Sequence, residues 1–396
     1  MKICIITKFF QGIHKCSGGM EAHVKDLIIG LKKNKDIEIS IITSEHPKKI
    51  SYEKRDGVEI FFVKGKISRN PFSRYRYFNE VGKKLKELNY EKKFDILHIQ
   101  SDFGVGYINN LNSKIPIITT VHGTALDEFF GSIKTKPYLL PIWAVSLPIY
   151  YLTEKRMLEK SNKIIAVSEL IKEDEIKQHQ IPSKKIKTIY NGIDLNKFKS
   201  FEEKKIKSLK EKFKDKKIIL SVGNIIKQKG YHLLIEILPE IIKKEPKTLL
   251  LIGGEGNYLK DLKEIAEKNK SEKNILFLGK IKREKLPKYY NLSDIFAFPS
   301  LRGEGLPYVL IEAMACGKSV ISSPSGGIVN IIKNNKNGLL VKKGDKKELL
   351  KGILNLLRDK KLRARLGKEA RKTIRKKFDL KKMIKKYKET YQDLCK

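Results

Sequence analysis

An α/β protein with two doubly wound parallel sheets is predicted by three observations. Apolar runs of four to seven residues alternate with helical patterns along the whole chain. The alternation starts afresh after residue 217, and 396 residues are enough for two ordinary cores. The first set of strands is expected at Lys2 to Thr7, Ile37 to Thr43, Val58 to Val63, Asp95 to Ile99, Pro116 to Val121, Lys163 to Val167 and Lys187 to Tyr190. The second set is expected at Ile218 to Val222, Thr248 to Ile252, Ile275 to Leu278, Ile295 to Phe298, Ser319 to Ser322 and Leu339 to Val341. Between the sets, Asn196 to Lys217 is lysine-rich with little apolar surface, which suits a connection. The expected division is 1–190, 191–377 and a terminal segment 378–396, where Met383, Ile384, Tyr387 and Tyr391 recur at the spacing of an amphipathic helix.

Composition excludes several classes. Hydrophobic residues at 40% and charged residues at 33% describe a globular chain. No stretch of eighteen or more apolar residues occurs, and Met1 to Ile6 leads straight into a strand without a cleavage-site pattern, so a protein that is cytoplasmic, or peripheral on the cytoplasmic membrane face, is expected. Cys4, Cys16, Cys316 and Cys395 have no paired spacing and read as reduced thiols. Net charge is +39, but Arg supplies only 12 of the 84 basic residues and Lys is spread over nearly every expected helix. Such a charge draws in anionic partners without naming one. No recognition helix, zinc knuckle or aromatic RNA platform accompanies it, so nucleic acid is not expected.

The most informative stretch is Arg302 to Gly317. It places the carboxylates of Glu304 and Glu312 eight residues apart across a loop-to-helix junction. Pro307 suits a first helical position and Gly317 a left-handed closing position, which predicts a helix from Pro307 to Cys316. With a strand just upstream, Glu304 and the first helical amides fall at a strand's carboxyl end, where open α/β sheets bind ligands and helix starts favour anions. Other short motifs punctuate the chain: Gly18-Gly19-x-Glu21, His122-Gly123, Val167-Ser168-Glu169, Asn191-Gly192-Ile193-Asp194, Gly223 with Lys229-Gly230, Gly253-Gly254-Glu255-Gly256 and Asn337 to Val341. The glycine cluster at 253–256 lacks dinucleotide-fingerprint spacing, so NAD is not expected.

Taken in this order, the motifs resemble glycosyltransferase family 4, whose signature is Glu-x7-Glu, here in a Glu-Gly-Leu-Pro variant. The resemblance implies the GT-B architecture, two Rossmann-like domains facing across a cleft, with the terminal helix crossing back onto the first domain. It implies a retaining enzyme that moves a sugar from a nucleotide-diphosphate sugar to a glycan, a lipid-linked glycan or a lipid. A GT-B nucleotide-sugar epimerase and a catalytically silent nucleotide-sugar-binding subunit are the alternatives. Catalytic roles fall on Glu304, His122 and Lys229. Donor contacts fall on Gly18, Gly19, Gly223, Asn224, Lys229, Gly254, Glu304, Gly305, Leu306, Tyr308, Val309 and Glu312. The Glu312 carboxylate is expected to accept from ribose hydroxyls and Glu304 to hold hydroxyls of the transferred sugar. Gly18 and Gly19, lacking side chains, would let amides approach a phosphate.

The family pattern has Arg where this chain has Asn224, which removes a charge-assisted contact and leaves Lys227 and Arg302 as the cations available to replace it. For His122 a satisfied structural histidine is the alternative. No Asp-x-Asp pair and no Ser-His-Asp triad occurs, so transfer without a metal or other cofactor is expected. Two segments concern the acceptor or an anionic membrane surface. Residues 69–78 interleave cations with aromatics, offering Arg69, Phe72, Arg74, Tyr75, Arg76 and Tyr77 as an interfacial set. Pro137 to Leu152 is apolar and reads first as a buried core helix, with a second interfacial element as the alternative.

Overall fold

The computed structural model of the chain describes residues 1–14, 18–65, 71–108, 115–126, 129–130 and 140–395. The chain forms two compact units, Met1–Gly192 with Leu380–Lys396, and Ile193–Asp379. The first holds eight strands: β1 (Lys2–Ile6), β2 (Glu38–Ser44), β3 (Tyr52–Arg55), β4 (Val58–Val63), β5 (Ile96–Gln100), β6 (Ile117–Val121), β7 (Lys163–Ala166) and β8 (Ile186–Thr188), in the order β3-β4-β2-β1-β5-β6-β7-β8. Every pairing is parallel except β3 with β4. The β3 strand was not foreseen, because Tyr-Glu-Lys-Arg carries no apolar alternation; it is an edge strand, where charge is an advantage against further pairing.

Both faces of this sheet are covered, which is why its strands read as unbroken apolar runs. Along β1, Ile3 and Ile5 join one core and Cys4 and Ile6 the other. The Ile3 face packs against helix Gly19–Leu31 and the terminal helix Leu380–Leu394, through Val24, Leu27, Met383, Tyr387 and Tyr391. Gly30 permits the approach of those two helices, since a Cβ there would lie 2.3 Å from the Ile384 side chain. The Cys4 face packs against helix Pro71–Lys92 through Tyr77, Val81 and Leu85.

The second unit holds β9 (Lys217–Val222), β10 (Thr248–Gly253), β11 (Ile275–Gly279), β12 (Ile295–Phe298), β13 (Ser319–Ser322) and β14 (Leu339–Leu340), all parallel, in the order β11-β10-β9-β12-β13-β14. Chain direction across this sheet reverses between β9 and β12, and across the first sheet between β1 and β5. Loops leaving those strands diverge and open a crevice at the carboxyl edge. The helix expected from Pro307 spans Tyr308–Ala315, with Pro307 as its N-cap in extended geometry and Gly317 at φ +73 beyond its end.

The reading of Pro137 to Leu152 as a buried helix is corrected. Residues 131–139 lie outside the described residues, and helix Leu140–Lys160 exposes Leu140, Ile142, Val145, Ile149 and Leu152. Its inner face is lined instead by Ser146, Tyr150, Glu154, Met157 and Leu158. An apolar run was mistaken for a core segment because the polar residues that turn inward are few.

Candidate functional site

In the second unit, the two loops at the reversal point carry the acidic and basic residues singled out in the sequence. After β9 the chain passes Gly223, at φ +153, and Asn224, which is exposed, and then turns through Lys227–Lys229 to Gly230 at φ +73. A Cβ on Gly230 would stand 2.1 Å from the Pro299 carbonyl oxygen, so glycine is what allows this turn to close on the end of β12. The Leu301 amide donates to the Gln228 carbonyl at 2.8 Å and locks the two loops together. Lys229 Nζ then donates to both Glu304 oxygens, at 2.8 and 2.9 Å, while Ser300 Oγ donates to Oε1 at 2.6 Å. The side chains of Lys229 and Glu304 are 15% and 9% exposed, so this pair is largely removed from water. Burial depresses the Lys229 pKa, with Glu304 opposing that shift and the Arg302 charge adding to it. Arg302 therefore supplies a second cation near Lys229, on the loop after β12, while Asn224 supplies none.

A third loop holds the backbone that carries Glu304. After β13, the Gly327 amide donates to the Glu304 carbonyl at 2.6 Å and Ser325 Oγ donates to the Arg302 carbonyl. Gly326 sits at φ +59, and a Cβ there would fall 2.2 Å from the Glu304 carbonyl oxygen. Beside Glu304, the Tyr231 hydroxyl is buried with no hydrogen-bond partner among the described residues, and its pKa is raised by burial and then by the Glu304 charge. Gly254, at φ +139, allows the loop after β10 to lie on Gly223, where a Cβ would reach 1.9 Å from the Gly223 oxygen.

Glu312 is placed differently from expectation. Its Oε1 accepts from Arg283 Nε at 2.7 Å and its Oε2 from the Tyr290 hydroxyl at 3.0 Å, and its side chain is 2% exposed. Arg283 in turn lies over the rings of Tyr308, at 4.9 Å, and Phe198, at 5.4 Å. Each carboxylate oxygen thus has one protein partner and keeps a further acceptor site. The helix is buried nearly all round, at Tyr308 and from Leu310 to Ala315, so Glu312 has no solvent-facing side. Leu306 and Tyr308 are also buried, while Gly305 and Val309 are partly exposed at the loop-to-helix junction.

In the first unit, Gly18 caps helix Gly19–Leu31, but its amide donates at 2.8 Å to Glu21 Oε2. A carboxylate already occupies the Gly18 amide that was expected to meet a phosphate, an arrangement common at helix starts. His122, at the end of β6, has Nε2 2.8 Å from Gln100 Oε1 and its ring edge-on to His23, with centroids 5.0 Å apart. Facing a carbonyl oxygen, Nε2 carries the proton. Behind it, Gln100 Nε2 reaches His98 Nε2 at 3.1 Å, and His98 Nδ1 reaches the Tyr391 hydroxyl at 2.7 Å. His23 bridges Asn191 Oδ1 at 2.9 Å and the Tyr387 hydroxyl at 3.2 Å. Burial, then mutual repulsion, holds His122 well below its ordinary value. Burial likewise lowers His23 to about 4, its bond to Asn191 opposing, and His98 to about 3, with His23 adding to the shift.

The interfacial set at 69–77 does not hold together. Arg69 lies outside the described residues, and Phe72 falls within helix Pro71–Lys92. Arg74 pairs with Asp102 and lies over the Tyr150 ring at 4.3 Å, and Tyr77 is 0% exposed in the core. Among the described side chains of the set, Tyr75, 65% exposed, and Arg76 face solvent. Successive residues of a helix point about 100° apart, so an unbroken run of cations and aromatics spreads around it and part of the run, here Tyr77 and Phe78, is carried into the core, which a simple count overlooks. The sequence reading also missed Ser300, Arg283, Tyr290, Ser325, Gly326 and Gln100. The Ser-Pro-Ser-Gly-Gly run after β13 was a loop signal at a third strand end and could have pointed to Gly326.

The family comparison fits this geometry. The family model described as Glycosyltransferase Family 4 matches residues 17–197, and that described as Glycosyl transferases group 1 matches residues 202–373. The chain is 29% identical over 390 residues to an uncharacterized glycosyltransferase of Methanocaldococcus jannaschii, with 95% of each chain covered. Among solved structures it is similar to sucrose-phosphate synthase from Thermosynechococcus elongatus, at TM-score 0.86 and 19% identity, over 99% of this chain and 98% of that one. It is also similar to Anabaena HepE in complex with UDP-glucose, at TM-score 0.78 and 19% identity, over 99% and 100% of the two chains. These neighbours carry the GT-B fold, and with two family models covering successive halves, the chain belongs to glycosyltransferase family 4.

Proposed function

We propose that this glycosyltransferase moves a sugar, with retention of anomeric configuration, from a nucleotide-diphosphate sugar to a hydroxyl of a glycan, a lipid-linked glycan or a lipid. The observation that carries the reading is the Lys229–Glu304–Ser300 cluster at the reversal point of the second sheet. In such a transfer the bond from the anomeric carbon to the diphosphate oxygen breaks and a bond to the acceptor oxygen forms on the same face. The acceptor's proton passes to the departing phosphate oxygen. Negative charge grows on the diphosphate, and preorganised donors lower the barrier most.

Lys229, with Arg302 nearby, is the cation for that charge. Glu304 opposes the loss of the Lys229 proton that burial favours, and it offers its carboxylate to hydroxyls of the sugar. The orphan Tyr231 hydroxyl beside Gly223 suits a ligand oxygen, since buried polar groups ordinarily find a partner. Gly223, Gly254 and the junction at Gly305 to Val309 supply close backbone approach. Glu312 acts on the donor through Arg283 and Tyr308. In the first unit, His122 in its Nε2-protonated form is the residue assigned to the transferred sugar. UDP-glucose bound to Anabaena HepE supports a UDP-sugar as the first donor to try.

The test has two measurements. A thermal-shift screen of nucleotide sugars identifies the donor, since a ligand at 100 times its dissociation constant stabilises by about 2.7 kcal/mol. Turnover of that donor, with the product's anomeric configuration read by NMR, then gives the stereochemistry. The expected result is a retained configuration and a rate unchanged by excess EDTA. Inversion would remove the same-face mechanism, and a loss restored by Mg²⁺ or Mn²⁺ would remove the metal-free one.

A further inference from the structure

Helix Leu140–Lys160 turns an apolar stripe outward over its first half. From Leu140 to Thr153 it carries no Asp, Glu, Lys or Arg, in a chain that is 33% charged. Its solvent face presents Ile142, Val145, Ile149 and Leu152, at 50, 67, 40 and 62% exposure, spaced to fall on one side. Two of its polar residues, Ser146 and Glu154, turn inward. Ser146 is 1% exposed and donates to the Ile142 carbonyl, and Glu154, 7% exposed, accepts from the Ala125 amide at 3.0 Å. A helix that only needed to cover the core would be turned the other way, because each exposed aliphatic side chain forgoes burial. A groove beside it, lined by Tyr75, Phe78, Val105 and Ile149, shares Ile149 with the stripe.

We propose that the first unit docks on an anionic lipid bilayer through this outward face, with the helix lying in the plane of the surface. Length argues for lying over spanning: from Ile142 to Leu152 the stripe runs about 15 Å, half a hydrocarbon core. No helix among the described residues is long and apolar enough to cross a membrane. Charge selects the occupant. Two copies of a chain carrying +39 repel each other, whereas an anionic surface attracts it. Beyond the uncharged stretch the exposed face continues to Arg156, and Tyr75 and Arg76 are exposed on helix Pro71–Lys92, whose Tyr75 lines the shared groove. Exposed apolar side chains flanked by basic residues are the composition of a helix that rests at the headgroup boundary.

Trp143, the single Trp of the chain, lies within this helix and reports on it in the unmodified protein. The experiment adds vesicles of phosphatidylcholine alone, or mixed equally with phosphatidylglycerol, to the full chain. It records Trp143 emission together with vesicle co-sedimentation. A blue shift and binding are expected with the anionic vesicles, and little of either with the neutral ones. Val145→Asp with Ile149→Asp should lower the partition coefficient at least about tenfold. Lys207→Gln with Lys212→Gln, which makes the same change in net charge on the second unit, should leave it within about twofold.

Circular dichroism checks the fold of both variants, and Val145→Ser with Ile149→Ser gives a milder probe if the Asp variant misfolds. Absence of binding by the wild type, or equal loss in the stripe and lysine variants, would overturn the proposal. So would self-association of the wild type that the stripe variants abolish, which would make the occupant a second copy. Nucleotide-sugar binding measured on the same variants is expected to be unchanged, so a failure here is distinguishable from a failure of the transferase reading.

Discussion

At the scale of single residues, Lys229 and Glu304 satisfy each other, and that mutual dependence shapes what their removal does. Truncating one leaves the other charged, largely buried and without its main partner, which typically costs about 3 to 5 kcal/mol. Replacing both with uncharged residues of similar size is expected to be far milder. Lys229→Met and Glu304→Gln should each destabilise the second unit by about 3 kcal/mol, and the double variant by about 1 kcal/mol. Transfer should behave otherwise: Lys229→Met alone, and the double variant equally, should lose about 100- to 1000-fold in rate. Urea unfolding and donor turnover on the three variants check this. Recovery of activity alongside stability in the double variant would make the pair structural. The same scale shows where residue-type reasoning stops. Glu304 and Lys229 could be picked out by their place in a motif, but the partners of Glu312 come from a 3-10 turn and a helix 20 to 30 positions upstream, and a single sequence does not pair them.

At the scale of elements, the terminal helix is held by shape as well as by apolar contact. The Gly192 amide donates to Met383 Sδ at 3.1 Å, and a Cβ on Gly192 would stand 2.6 Å from the Leu380 Cα. Backbone cannot yield there as the tip of a side chain can. Gly192→Ala should therefore destabilise the first unit by about 1 to 3 kcal/mol, the usual cost of overpacking, read as a lowered urea midpoint. Wild-type stability would mean that the helix can slide outward without loss. Apart from β3, the strands of both sheets were legible to within a residue or two because buried parallel strands announce themselves as apolar runs. The β8 strand, read at Lys187 to Tyr190 and found at Ile186–Thr188, slipped because its run is short and lysines flank it. The helix at Leu140–Lys160 was legible as an apolar segment, but its orientation was not, since composition says nothing about which side meets the core.

At the scale of the whole molecule, acid acts on the first unit through its buried histidines. His23 and His98 are buried and neutral in the first unit, at about 4 and 3 against an ordinary 6.5. As pH falls below 6.5 the unfolded chain takes up protons at these positions while the folded unit does not. Their contribution to stability is thus fully present above about pH 6.5 and is lost as pH falls toward 4. Two such groups give a slope of about 3 kcal/mol per pH unit over that window, and His122, shifted the same way, adds to it. Urea unfolding near neutral pH and at pH 5 should therefore separate into two transitions, with the first unit moving to lower urea in acid. His98→Asn should flatten the slope of that transition. An unchanged slope would mean that the histidines are hydrated in ways their burial does not suggest.

The terminal helix also ties the history of each molecule to its structure. Met383, Tyr387 and Tyr391 fill the core beneath β1, and the two tyrosines hydrogen-bond to His23 and His98, yet all three are synthesised only after Ile193–Asp379. During translation the eight strands of the first unit can pair, but one face of their sheet stays unfilled until the later segment emerges. The second unit, continuous in sequence, has everything it needs sooner. A ribosome that stalls within the second unit therefore releases a first unit with an open apolar face and histidines that lack their tyrosine partners, a species suited to chaperones or proteases and not to catalysis. The chain order acts as a proofreading device, because the half made first is completed only when the half made second is in hand.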